Sequence, residues 1–116
     1  MKILVAVHDL MFTSRINSVT KGVHEVHWLP RGTSVADKAK ELRPDALVID
    51  LGNAALKPVE AIAAVRADPD TKDLHVIAYV GHTEESIIAA AKSAGANEIY
   101  SKGEFNSRLP QLLGAK

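Results

Sequence analysis

A chain of 116 residues is long enough to bury one real core without staples, and its zero cysteines exclude disulfides, thiolate zinc sites and a cysteine nucleophile. Lysine plus arginine and aspartate plus glutamate number 14 each, so no basic surface advertises nucleic acid or an anionic membrane. The apolar runs are too short to cross a bilayer, and MKILVAVHD meets His8 and Asp9 where a signal peptide would continue, so a soluble cytoplasmic protein of one domain, residues 1–116, is expected.

In chain order, residues 3–7 form an unbroken apolar run that ends at His8 and Asp9, as in a strand buried on both faces. Phe12, Ile16 and Val19 recur at helical spacing, with Gly22 placed to stop the helix. Residues 23–29 alternate and carry two histidines and a glutamate, which suits an edge strand. Ser34 caps a second helix with Asp37 in capping-box position, and Val35, Ala39 and Leu42 mark its buried face. The next strand, PDALVIDL at residues 44–51, is the centre of the pattern. Pro44 cannot continue a helix, residues 46–49 are uniformly apolar, and the run stops at the carboxylate of Asp50.

Pro58 opens a third helix, for which Val59, Ile62, Ala63 and Arg66 supply one periodic stripe. After the polar turn at 68–73, residues 74–80 read as the fourth strand. Thr83 is the expected cap of a fourth helix with Glu84 and Glu85 in its first turn. Ile87, Ala90, Ala91 and Ala94 face inward and Gly95 ends it. Residues 98–100 make a short edge strand. Phe105, Leu109, Leu112 and Leu113 then suggest a stubby last helix, limited by Pro110 and ended by Gly114.

Five strand signals alternating with five helix signals define an α/β class with a parallel sheet. Strands one, three and four read as central and strands two and five as edges, which matches the flavodoxin-like order 2-1-3-4-5 in a three-layer sandwich. Its switch point lies between strands one and three, whose ends carry Asp9 and Asp50. The rim at the carboxyl ends thereby collects His8, Asp9, Asp50, Gly81, His82 and Lys102. Two carboxylates in one crevice repel by a few kcal/mol at ~4 Å and an intermediate dielectric unless a cation joins them. Mg²⁺ is the ordinary candidate, held weakly by Asp9 and Asp50, while Lys102 offers a point charge for a phosphoryl oxygen. Two blander readings stay open: Asp50 bonding its own backbone, and Lys102 closing an inert salt bridge with Asp50.

LVAVHD, PDALVIDL, IIAAAKSAGANEIYSKGEF and the lysine followed by Phe105 together make nearly the whole chain resemble the receiver domain of two-component response regulators. The resemblance implies a phosphorelay signalling protein that is not an enzyme with turnover. Asp50 would accept phosphate from a phosphohistidine, Asp9 would be a magnesium ligand, and Lys102 would contact the phosphate. Its partners would be a kinase or a downstream protein, and an exposed edge strand offers a route to a homodimer.

The chain departs from that family at several places. The first of the usual two acidic residues is His8, a poor ligand for a hard cation. The strand-four hydroxyl is Val80, the strand-five aromatic is Ile99 beside Tyr100, and the proline after the lysine is Gly103. The expectation is therefore a degenerate receiver acting mainly through protein binding, with an ordinary Mg²⁺-dependent receiver and a small cofactor-binding flavodoxin-like domain as alternatives. For the latter, HDLMFTSR lacks the glycine a phosphate loop needs.

Overall fold

The computed structural model describes residues 1–81 and 85–114. Strands and helices alternate along the chain: β1 Lys2–Ala6, α1 Leu10–Thr20, β2 Glu25–Trp28, α2 Val35–Leu42, β3 Ala46–Asp50, α3 Pro58–Ala67, β4 His75–Val80, α4 Glu85–Ala94, β5 Glu98–Ser101 and α5 Lys102–Leu113. All strand pairs are parallel and the order is β2-β1-β3-β4-β5, as expected from which runs are continuously apolar. The expected cap Thr83, with Glu84 and His82, lies outside the described residues. Among the described residues no helix is long and apolar enough to cross a membrane.

The side-chain period of two in a strand sorts the core into two halves. Leu4, Ala6, Leu47, Ile49, Val76, Ala78 and Val80 face α2, α3 and α4. Ile3, Val5, Val7, Ala46, Val48, Ile77 and Tyr79 face α1 and α5, where they meet Phe12, Ile16, Phe105, Leu109 and Leu113. Complete burial of side chains such as Ile3, Leu4 and Leu47 contributes about 1.5–3 kcal/mol each. Residue 50 has the parity of 46 and 48, so Asp50 belongs to the α1/α5 side of the sheet.

Three local expectations change, and one turn is new. α3 buries Pro58, Ala61, Ile62 and Val65, and leaves Ala63 exposed and Arg66 half-buried. The Ala-rich stretch carries two stripes of equal period, and the one containing the larger Ile62 and Val65 pair wins. At α2, Ser34 accepts the Asp37 N–H, but only this half of a capping box forms. A 3₁₀ turn, Ala54–Leu56, follows β3 and swings Lys57 into a left-handed conformation at φ +48°. Finally, α5 runs through Pro110 for 12 residues, because a proline near the carboxyl end forfeits one helical hydrogen bond while Leu109 and Leu113 stay buried.

Candidate functional site

β1 and β3 are adjacent, with Ala6 opposite Ile49, so the chain leaves both strands on the same rim. Asp9 follows β1 and becomes the N-cap of α1, where its Oδ1 accepts the Met11 N–H at 2.9 Å and the Phe12 N–H at 3.5 Å. Those amides are where a flavin-type phosphate would have to bind, and a carboxylate already holds them. Asp50 closes β3. It is only 8% exposed, and its Oδ1 accepts the Gly52 N–H at 2.8 Å. The backbone-bonding reading of Asp50 is therefore realised for one oxygen. Among the described residues, the second oxygen of each carboxylate has no hydrogen-bond partner.

Lys102 is the first residue of α5, directly after β5. Ser101 is the cap in a full capping box with Glu104. The lysine side chain lies over Gly81, at the end of β4, where a β-carbon would sit 3.7 Å from Lys102 Cε and 3.9 Å from Nζ. No ion pair within 4.0 Å joins Lys102 to a carboxylate among the described residues. The inert salt bridge does not form. The described backbone around Lys102–Gly103 is trans.

A phenol joins this rim that sequence reasoning passed over. Tyr79 pairs in register with Asp50 and shares its face of the sheet. Its ring packs between Phe12, at 4.8 Å, and Phe105, at 4.7 Å and nearly parallel, tying α1 and α5 to the strand below the carboxylates. Burial, then the charges of Asp50 and Asp9, push the Tyr79 phenol well above its ordinary range. One phenol thus feels both carboxylates. The available signal was a polar-tipped aromatic inside the apolar run of strand four, at the parity of Asp50.

His8 turns away from this cluster. Its Nε2 hydrogen-bonds the Leu29 carbonyl at 2.8 Å, so this nitrogen carries the proton and fastens the end of β1 to the chain beyond β2. It is a structural rim residue. On the opposite face a groove of about 470 Å³ opens between His8, Arg31, Asn53 and Lys57, and does not reach Asp50. Val80 is buried in the core on that face. Tyr100 is tied within its own edge, its hydroxyl donating to Glu98 and its ring lying 5.8 Å from Arg108.

No three histidine, aspartate or glutamate side chains form a metal-binding group among the described residues. Asp9 and Asp50 each retain one carboxylate oxygen outside the hydrogen bonds above, the donor type that a hard cation keeping most of its waters takes.

No protein-family model and no curated protein matches the sequence. Solved structures do. A response regulator from Hahella chejuensis superposes with a TM-score of 0.85 at 17% identity, over 97% of this chain and 91% of that one. The fold is that of a response-regulator receiver domain. The receiver domain of a sensor histidine kinase from Pseudomonas aeruginosa, with magnesium coordinated in its active-site cleft, gives 0.76 at 19% identity over 98% of both chains. The Mn²⁺-bound response regulator Rcp1 gives 0.79 at 18% identity, over 96% of this chain and 90% of that one. A receiver fold puts the ends of β1, β3 and β5 on one rim, and here those ends bring Asp9, Asp50 and Lys102.

Proposed function

We propose that residues 1–116 act as one receiver-like signalling unit in the cytoplasm, a degenerate member of a phosphorelay that works through a protein partner and turns over no substrate of its own. The observation that carries this reading is the pair of carboxylates, Asp9 and Asp50, at the switch point of a 2-1-3-4-5 sheet, with Lys102 beyond Gly81 on the same rim. Asp50 is the acceptor. Its unbonded oxygen attacks the phosphorus of a phosphohistidine, the O–P bond forms as the N–P bond breaks, and the imidazole leaves with the electron pair and takes a proton from water.

Asp9 and Asp50 are the residues that would hold Mg²⁺, which when bound supplies positive charge to the transferring oxygens. The chain itself contributes the rest. The Gly52 N–H orients the Asp50 carboxylate, and the Lys102 amine approaches a phosphoryl oxygen from the β4 side. Three features support weak acceptance. Asp9 is shared with the α1 cap, His8 has turned to Leu29, and Asp50 is nearly covered. The altered readout is supported by Val80 in the core and by Tyr100 held to Glu98. Protein binding is supported by Leu10 and Met11, which are 83% and 67% exposed immediately after Asp9, a site where a donor protein reaching Asp50 would dock.

The test is a titration with Mg²⁺ and beryllofluoride, followed through amide shifts near Asp50, Lys102 and Tyr100. Saturable shifts at Asp50 and Lys102, lost in Asp50→Asn, with little movement at Tyr100, are expected. Strong shifts at Tyr100 would instead indicate an ordinary switching receiver, and silence throughout would remove Asp50 as an acceptor.

A further inference from the structure

We propose that the Tyr79 phenol is a third member of the Asp9 and Asp50 centre, a hydrogen-bond donor held for an oxygen that joins Asp50 from outside, and that a phosphoryl oxyanion is the chemistry it fits. The inference rests on the reading of Asp50 as an acceptor and adds a group that the reading did not contain.

Tyr79 is 0% exposed, and its hydroxyl is buried with no hydrogen-bond partner among the described residues. Leaving such a donor unpaired costs stability. Packing does not account for it, because phenylalanine would fill the same space between Phe12 and Phe105 without that cost. The hydroxyl must be understood from what surrounds it. Tyr79 is the registered partner of Asp50, and the phenol feels Asp50, by its charge and by an approach that falls short of ordinary hydrogen-bond geometry, and Asp9 by its charge. Both are acceptors only.

A buried phenol hydroxyl set beside two acceptor-only carboxylates is placed to donate to an oxygen nearby. Asp50 Oδ1 is already held by Gly52, so an oxygen carried on the other side of the carboxylate would meet the hydroxyl from an apolar, water-poor floor. A hydrogen bond to a charged oxygen is about twice as strong there as one between neutral groups. The donor is then satisfied on ligand arrival, and the cost borne by the unliganded protein turns into affinity. The same ring contacts Phe105, three residues beyond Lys102, so the hydroxyl and the lysine are positioned by a single helix.

The experiment compares the full wild-type chain with Tyr79→Phe, Asp50→Asn and the control Tyr100→Phe. Beryllofluoride affinity in Mg²⁺ is read by fluorine NMR, the lifetime of the species formed with acetyl phosphate by intact mass, and stability by thermal unfolding. Tyr79→Phe is expected to bind beryllofluoride about tenfold more weakly and to shorten the acyl-phosphate lifetime, with a melting temperature equal to or above wild type. Tyr100→Phe is expected to match wild type. Unchanged or tighter binding by Tyr79→Phe overturns the inference and leaves the acceptor reading standing. Wild-type binding that survives in Asp50→Asn, or no binding by wild type at all, overturns both.

Discussion

Single atoms decide how the acceptor is presented. A β-carbon at Gly52 would lie 3.2 Å from Asp50 Oδ1, closer than a comfortable contact, although Gly52 is not in the left-handed region. Gly52→Ala should therefore fold, with a loss of stability of about 0.5–1 kcal/mol, while the carboxylate is displaced by a few tenths of an ångström. The expected outcome is a several-fold weaker response to Mg²⁺ and beryllofluoride beside a urea midpoint lowered by only about half a molar. An unchanged response would mean that the Gly52 N–H does not orient the reacting oxygen. Tyrosine offers a second check. Both tyrosines are raised, Tyr79 by burial and then the Asp50 and Asp9 charges, Tyr100 by its hydrogen bond to Glu98 and then burial. A group raised on folding stabilises the native state fully below its unfolded value, near pH 10, and loses that contribution as pH climbs toward the folded value. A spectrophotometric titration should thus show the Tyr100 step displaced upward from pH 10 in the native chain, and no Tyr79 step until the chain unfolds. The alkaline loss of stability should be shallower in Tyr79→Phe.

Between elements, one arginine carries much of the join at the amino-terminal end of the sheet. Arg66, from α3, donates Nε to the Gly95 carbonyl at 3.0 Å, Nη1 to the carbonyls of Lys72 and Leu74, and Nη2 to Asn97. It locks α3 to the approach of β4 and to the turn before β5. Arg66→Met should cost about 2–3 kcal/mol in urea unfolding, since three carbonyls lose a charged donor at once. Gly95 stands at φ +115°, and a β-carbon there would fall 2.8 Å from Arg66 Cγ, so Gly95→Ala should destabilise as well and add less than its full effect in the double variant. The sequence disclosed the strands better than these joins. Continuous apolar runs bounded by turns mark β1, β3 and β4 without ambiguity, and the same runs named Asp9 and Asp50 by where they stop. The face of α3 was hidden because Ala61 and Ala63 are equally apolar, so periodicity alone cannot choose between them. Arg66 read as the fourth member of a stripe, and its value as a four-way donor exists only once remote carbonyls are assembled. Tyr79 was hidden for the same reason: in a strand it reads as core, and only the register with Asp50 gives its hydroxyl a neighbourhood.

For the molecule as a whole, the sheet is closed at neither side, and both edge strands carry a carboxylate paired with a histidine. On β2, Glu25 pairs with His27 within the strand; on the far side, Glu98 of β5 takes hydrogen bonds from His75 of β4 and from Tyr100. The hydrogen bond from His27 holds Glu25 below the usual carboxylate range. Burial would raise Glu98, but the bonds from His75 and Tyr100 outweigh it and hold this group low as well. A carboxylate lowered by folding contributes stability that is present above its unfolded value and disappears as pH falls through the folded one. The window therefore opens near pH 4.5, where the unfolded carboxylates begin to protonate, and extends downward. Glu25 is solvent-exposed and should matter little. Glu98 bridges two strands, so its protonation should loosen β5 before the central strands open. In hydrogen exchange at descending pH, protection corrected for intrinsic rates should fall first at residues 98–101, and Glu98→Gln should flatten the acid limb of the stability curve. Equal acid sensitivity in Glu98→Gln and wild type would show that the β4–β5 edge is held by its backbone ladder and by the packing of Ile99 and Tyr100 alone.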